Sequence, residues 1–216
     1  INYQKELIFT KRIYHTHHKA EKIMGFIKED LRKLSAENIT ETKYRVTKYS
    51  NFISRVIYDM KWFDPPIQTI RNAMFRTNLN EVIKFIVDNI FFRVSTKSNA
   101  FELKLDTDPE LPVVPINEFV VWEIIEPLLQ NSIEHGGESN LVINCKTLFD
   151  KGTNKSYIMI EDNGKGIPEN LLVPNEQGIK NIFEENVTTK KSGIQNSGYG
   201  CYIAYEITKR CGWDID

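Results

Sequence analysis

Apolar residues in the first third of the chain recur in alternating steps of three and four. Between residues 7 and 34 they are Ile13, Ala20, Met24, Ile27, Leu31 and Leu34, with His17 at the step between the first two, the repeat of a coiled-coil seam. The polar stretch "SAENIT" interrupts the pattern and offers Thr40 as an N-cap. Val46, Tyr49, Ile53, Val56, Met60 and Phe63 then resume the same alternation, with Phe52 and Ile57 flanking the stripe. Two amphipathic helices joined by a short loop form an antiparallel hairpin. One hairpin covers only half of its seam, so two copies pairing into a dimeric four-helix bundle is the simplest arrangement. Packing against the neighbouring domain is the alternative.

"DPP" at 64–66 ends the second helix, because proline lacks an N–H and disfavours helix in the residue before it. This predicts a domain boundary there, with a helical domain over 1–66 and a second domain over 67–216. The second domain reads as mixed α/β. "LNEVIKFIVDNIFF" is a helix with Val82, Ile83, Ile86, Val87 and Ile90 on one face. "AFELKLD" alternates as a strand. "NEFVVWEIIEPLLQNSIEHGG" is a helix capped by Asn117 and stopped by Gly136-Gly137, and "NLVINCKTLF" and "SYIMIED" are strands. "GCYIAYEITKRCG" is a last helix, with Lys209 and Arg210 favourable to its dipole and Gly212 as the stop. "WDID" reads as the opening of a further strand whose hairpin partner is missing.

Charge changes little in this picture. The 216 residues carry a net charge of −1, which gives no electrostatic case for nucleic acid. Three cysteines without metal-ligand spacing suit reduced thiols in a cytoplasmic domain. The longest apolar runs fall far short of a membrane span. The chain opens on Ile1, which reads as a fragment and leaves room for a sensor or membrane segment upstream.

Three segments carry candidate chemistry. In "IEDNGKGIP", 160–168, an apolar strand delivers Asp162 into a turn with Gly164 and Gly166. A carboxylate there can accept from an exocyclic amine such as that of adenine, and the glycines let a flat ring approach the backbone. Asp-Asn-Gly is also ordinary turn chemistry. In "EPLLQNSIEHG", Glu126, Gln130, Asn131, Glu134 and His135 fall largely at three- to five-residue spacing. Asn131 beside carboxylates can hold a hydrated magnesium ion, while a solvated polar face is the plainer alternative. From Pro168 to Ser197 runs a polar span long enough to suggest a mobile lid or a disordered loop. It ends in Gly198-Tyr199-Gly200 at a helix start, where backbone amides attract phosphate. Thr188, Thr189 and Lys190 add donors for the same anion. The segment is neither a P-loop nor a dinucleotide fingerprint.

"LLQNSIEH", "EDNGKGIP", "IFEENVTTK" and "SGYGCYIAYEI" occur in this order. The set resembles the N, G1, F and G2 boxes of the sensor histidine kinase ATP-binding domain, over about residues 78 to 216. "FTKRIYH" and the hairpin resemble the dimerisation and phosphotransfer domain of the same kinases. The resemblance implies an α+β chain, a helical hairpin followed by a two-layer α/β sandwich of the Bergerat fold. It implies ATP and Mg2+ as cofactors, Asn131 as the magnesium ligand and Asp162 as the adenine reader. His135 joins the ATP-binding set, and Gly164, Gly166, Gly198 and Gly200 are close-approach positions. Where many members carry a further asparagine, this chain has Pro127, and neighbouring Glu126 is a candidate for the missing oxygen. Asn196 stands where a glycine is common.

The resemblance also implies autophosphorylation of a histidine on the first helix, then transfer to an aspartate of a response-regulator receiver domain. "RIYHTHHKAEK" offers three histidines. With His15 as acceptor, Ile13, His17, Ala20 and Met24 lie on the seam and His15 beside it. His18 is the second candidate, roughly on the same face. His17 falls on the seam as a packed residue. The acid and proline common after the family's histidine are absent, with Thr16 and Ala20 in their places after His15. Two other readings stand beside the kinase: a nucleotide-binding switch without autokinase activity, and a metal-responsive helix built on His15, His17 and His18. Residues two and three apart converge poorly on a helix, which counts against the latter.

Overall fold

A computed structural model describes residues 2–59, 65–93, 101–136, 140–185, 187 and 199–216. The chain divides into two compact units, Ile1–Pro66 and Ile67–Asp216.

The first unit is a hairpin of α1 (Asn2–Arg32) and α2 (Ile39–Asp59). Its interior is a narrow stripe in which Ala20 and Ile23 face Tyr49, Phe52 and Val56, with Phe26 tilted against Tyr49 at 6.0 Å. Met24, Leu31 and Leu34 of the predicted seam are exposed. One step along a helix turns the side chain by about 100°, so the helix partner that covers residue 23 leaves residue 24 outside. His17 is likewise not packed within the hairpin: its side chain is 63% exposed, with Nδ1 3.7 Å from Glu21 Oε2. The predicted Thr40 cap is displaced as well. Asn38 closes the loop instead, its Oδ1 accepting from Ser35 N at 2.9 Å and its Nδ2 donating to the Lys33 carbonyl. The Asn38 carbonyl receives the first helical bond, from Thr42 N. Near this loop the buried Asp30 accepts from Arg45 Nε at 3.1 Å. Met60 and Phe63 lie outside the described residues.

In the second unit a short helix, α3 (Ile67–Ile70), precedes a segment tied by bridges between Arg71 and Ile116 and between Thr77 and Val114. Asn78 caps α4 (Leu79–Ile86), accepting from Asn80 N and Glu81 N. The helix widens into one π-helical turn, Val87–Phe91, that keeps Val87, Ile90 and Phe91 buried. Strand β1 (Phe101–Asp106) pairs in parallel with β2 (Leu141–Asp150), and α5 (Glu118–His135) is the crossover that a parallel pair requires. Strand β3 (Lys155–Asp162) returns antiparallel to β2, giving the order β1-β2-β3.

Strand β2 alternates: Leu141, Ile143, Cys145 and Thr147 are buried while Asn144, Lys146 and Leu148 face solvent. Helices therefore cover one face of the sheet, the two-layer arrangement expected. Val120, Val121, Trp122, Ile125 and Leu129 of α5 form the centre of this core, with Ile83 and Ile86 of α4 and Ala204 of the last helix. Asn117 caps α5 as expected, accepting from Phe119 N at 3.0 Å.

The last helix, numbered α7 (Tyr199–Cys211) after the short α6 (Glu169–Leu172), ends at Gly212 with φ +78°. Gly212 N bonds the Lys209 carbonyl and Trp213 N the Thr208 carbonyl, a Schellman closure. Two expectations fail here. "WDID" forms no strand, since an extended segment needs a neighbour to pair with and this one has none among the described residues. The first half of the 168–197 span is not irregular either. It holds α6, a bridge between Pro174 and Lys180, and a 3-10 turn at Asn181–Phe183. Buried Phe183 stacks on Tyr205 of α7 at 5.2 Å, and that stack ties the segment down.

Candidate functional site

Asp162 is the last residue of β3, paired across the sheet with Ile143. It is exposed, and its Oδ1 accepts from Gly164 N at 3.0 Å, so lone pairs of the carboxylate remain for a ligand amine. Asn163 anchors the turn. It accepts from Val142 N at 2.7 Å and donates to the Asn140 carbonyl, extending the β2–β3 ladder by a side chain. The two glycines of this turn act differently. Gly166 has φ +72° with open space around it, a backbone shape that residues with a side chain rarely adopt. Gly164 is needed for packing: a Cβ there would lie 2.3 Å from the Gly136 Cα. The turn that carries Asp162 thus rests directly on the carboxyl end of α5.

Asn131 sits on α5, half-buried, and its Nδ2 donates to Cys201 Sγ on α7 at 2.9 Å. A Cβ built on Gly200 would lie 3.7 Å from Asn131 Oδ1 and 3.5 Å from Pro127 Cβ. The first turn of α7 is therefore laid across α5 at Pro127 and Asn131. Helix α5 runs through Pro127 as one element. Glu126 is buried at 7% exposure, five residues and about 140° around the helix from Asn131, so the two do not share a face. His135 is exposed in the last turn of α5. Gln130 donates to Glu134 at 2.8 Å, which leaves these two as a surface pair.

The three thiols are free, and burial pushes each of them up. Cys145 rises to about 11 and Cys211 to about 12. For Cys201 the Asn131 hydrogen bond pulls the other way, yet burial prevails.

The other sequence candidates divide by unit. His18 stands on α1, its side chain 67% exposed and its Nδ1 3.9 Å from Glu21 Oε2. His15 lies on the same helix, its side chain outside the described residues. Thr188, Thr189, Lys190 and Gly198 are outside them too. Among the described residues no group of three His, Cys, Asp or Glu could hold a metal, and no helix is long and apolar enough to cross a membrane. Sequence reasoning passed over Cys201, Asn163 and the role of Gly136. Cys201 was visible beside Gly200, but nothing local shows that it meets Asn131.

A magnesium ion keeps most of its waters and needs one or two protein oxygens beside phosphate. Asn131 fits this: its Nδ2 is engaged by sulfur, and its Oδ1, the atom able to ligate, borders the side-chain-free Gly200. Buried Glu126 does not add to it.

Residues 117–216 match the family of histidine kinase-, DNA gyrase B- and HSP90-like ATPases. No curated protein matches the chain. Among solved structures, full-length ShkA in complex with AMPPNP is 14% identical, covering 94% of this chain and 41% of that one at a TM-score of 0.50, which shows a shared fold. The mycobacterial sensor histidine kinase MprB is 17% identical over 64% of this chain and 80% of its own, at 0.47. The Acinetobacter baumannii histidine kinase AdeS is 14% identical over 89% and 86%, at 0.43. The match starts at Asn117, later than the residue 78 that the motifs suggested. Asn131, Asp162 and Gly200 all lie inside residues 117–216, the part of the chain that is similar to the histidine kinase-, DNA gyrase B- and HSP90-like ATPases.

Proposed function

We propose that the chain is the core of a two-component sensor histidine kinase. In this reading it autophosphorylates a histidine of α1 with ATP and passes the phosphoryl group to an aspartate of a response-regulator receiver domain. The observation that carries the reading is the meeting of Asn131 with Gly200 and Cys201, which brings motif segments seventy positions apart to one place.

Asp162 accepts the exocyclic amine of adenine. The amides at the start of α7 receive phosphate oxygens, with Thr188, Thr189 and Lys190 adding donors. Asn131 Oδ1 would hold Mg2+, which when bound would supply charge neutralisation at those oxygens. An imidazole nitrogen of His15 or His18 attacks the γ-phosphorus while the bond to the β,γ-bridging oxygen breaks. ADP leaves, and the imidazole gives up its N–H proton.

A second copy of the chain covers Met24, Leu31 and Leu34 of α1 with Ile39 and Ile57 of α2, all exposed in one hairpin. Three free thiols suit a cytoplasmic setting. A second reading keeps the ATP site as a conformational switch without transfer. It is favoured by Thr16 at the place of the expected acid and by Pro127 within α5.

Incubation of the full chain with γ-labelled ATP and magnesium separates the two. The kinase predicts label on protein that is acid-labile, stable to base and absent from Asn131→Ala and Asp162→Ala. Measurable ATP binding without any label would favour the switch.

A further inference from the structure

An asparagine amide has two opposite ends, and only Oδ1 can ligate a cation. Its terminal torsion is broad and nearly two-fold, so an amide without a directing partner presents NH2 about as readily as oxygen. In this chain the turn of α5 below Asn131 offers the ring carbons of Pro127 rather than a polar group. Gly200 contributes no side chain either. The contact made by the Asn131 amide among the described residues is the 2.9 Å bond from Nδ2 to Cys201 Sγ.

Resting on the ATP-site reading above, we infer that Cys201 is a positioning residue for the magnesium-bound nucleotide. Its sulfur accepts the Asn131 Nδ2 hydrogen and so turns Oδ1 toward the cation. The placement suits the task. Cys201 follows Gly200 in the first turn of α7, so the element that receives phosphate also orients the amide that serves the metal. Sulfur is a weak acceptor, and the effect expected is that of one modest hydrogen bond, about fivefold in affinity.

The test measures ADP affinity by calorimetry on the full chain, once in excess chelator and once in saturating magnesium. The ratio is the magnesium enhancement. Cys201→Ala removes the acceptor and is expected to lower the enhancement about fivefold, with the affinity in chelator and the melting temperature close to the parent's. Cys201→Ser restores an acceptor and recovers the enhancement, a rescue that loss of packing alone does not predict. The double variant with Asn131→Ala falls no further than Asn131→Ala itself. If Asn131→Ala lowers the enhancement while Cys201→Ala leaves it at the parent value, the inference is overturned and the site reading survives. If Asn131→Ala also leaves it unchanged, Asn131 is no magnesium ligand and both fall.

Discussion

Replacing Gly164 with alanine tests how the turn carrying Asp162 is held. The new Cβ would lie 2.3 Å from Gly136 Cα and 2.4 Å from its carbonyl oxygen. Both are backbone atoms at the end of α5, so no flexible side chain can swing away. Ordinary contact begins at 3.4 Å, and the turn and helix end must part by about 1.1 Å, the difference of the two distances. Overpacking of this kind costs about 1–3 kcal/mol. A smaller gain of about 0.4–1 kcal/mol opposes it, because alanine restricts the unfolded chain. The net loss is about 1–2 kcal/mol, or roughly 2–8 °C in melting temperature for a unit of this size. Calorimetric unfolding of the full chain reads the shift. The functional effect follows from the 3.0 Å bond between Gly164 N and Asp162, which moves the carboxylate with the turn. ATP affinity is expected to fall about tenfold, as for one charge-assisted hydrogen bond. An alanine variant with unchanged melting temperature and unchanged ATP affinity would refute the argument, since the contact would then yield without consequence.

Other substitutions probe separate parts of the account. Asp162→Ala should weaken ATP about 10- to 100-fold, the loss of a hydrogen bond to a charged group, and erase any preference of ATP over GTP in competition binding; retention of that preference would count against Asp162 as the adenine reader. Arg45→Met leaves the carboxylate of Asp30, 3% exposed, without the guanidinium that bonds it, and should cost the hairpin about 3 kcal/mol in urea unfolding. A loss below about 1 kcal/mol would mark the pair as an ordinary surface contact. Alkali should destabilise the second unit through its buried thiols. Unfolded thiols lose their protons from about pH 9, whereas burial holds Cys145 to about 11, so the unfolded state binds fewer protons in between. Stability from this group is full below about pH 9 and falls as pH rises toward 11, by up to about 1.4 kcal/mol per pH unit. Melting temperatures across that range should therefore decline more steeply for the parent than for Cys145→Ala, and parallel curves would contradict the burial argument.

What the sequence made legible was set by local chemistry. The cap at Asn117, the stop at Gly212 and the alternation of β1 each depend on residues within one turn or one strand. Thr40 lost to Asn38 because both are good capping residues and Asn38 also reaches back to Ser35 and Lys33 across the loop. His17 is exposed in one hairpin because a single neighbouring helix covers only one flank of a heptad seam. The ordered half of the 168–197 span was hidden because a bridge and one aromatic stack, Phe183 on Tyr205, hold it rather than any repeat. In the site, Asn131 and Asp162 stood out by motif. The packing of Gly164 on Gly136 and the bond from Asn131 to Cys201 join distant segments, which no local pattern encodes.

The proposed kinase activity requires that a histidine of α1 receive the γ-phosphoryl group of ATP. The most direct measurement is phosphorus NMR of the full chain after incubation with ATP and magnesium, comparing the parent with His15→Gln and His18→Gln. The account predicts a phosphohistidine signal, lost on acidification and missing from one of the two variants while the other retains it. A signal of equal strength in both variants, or none where ATP is bound, would contradict it.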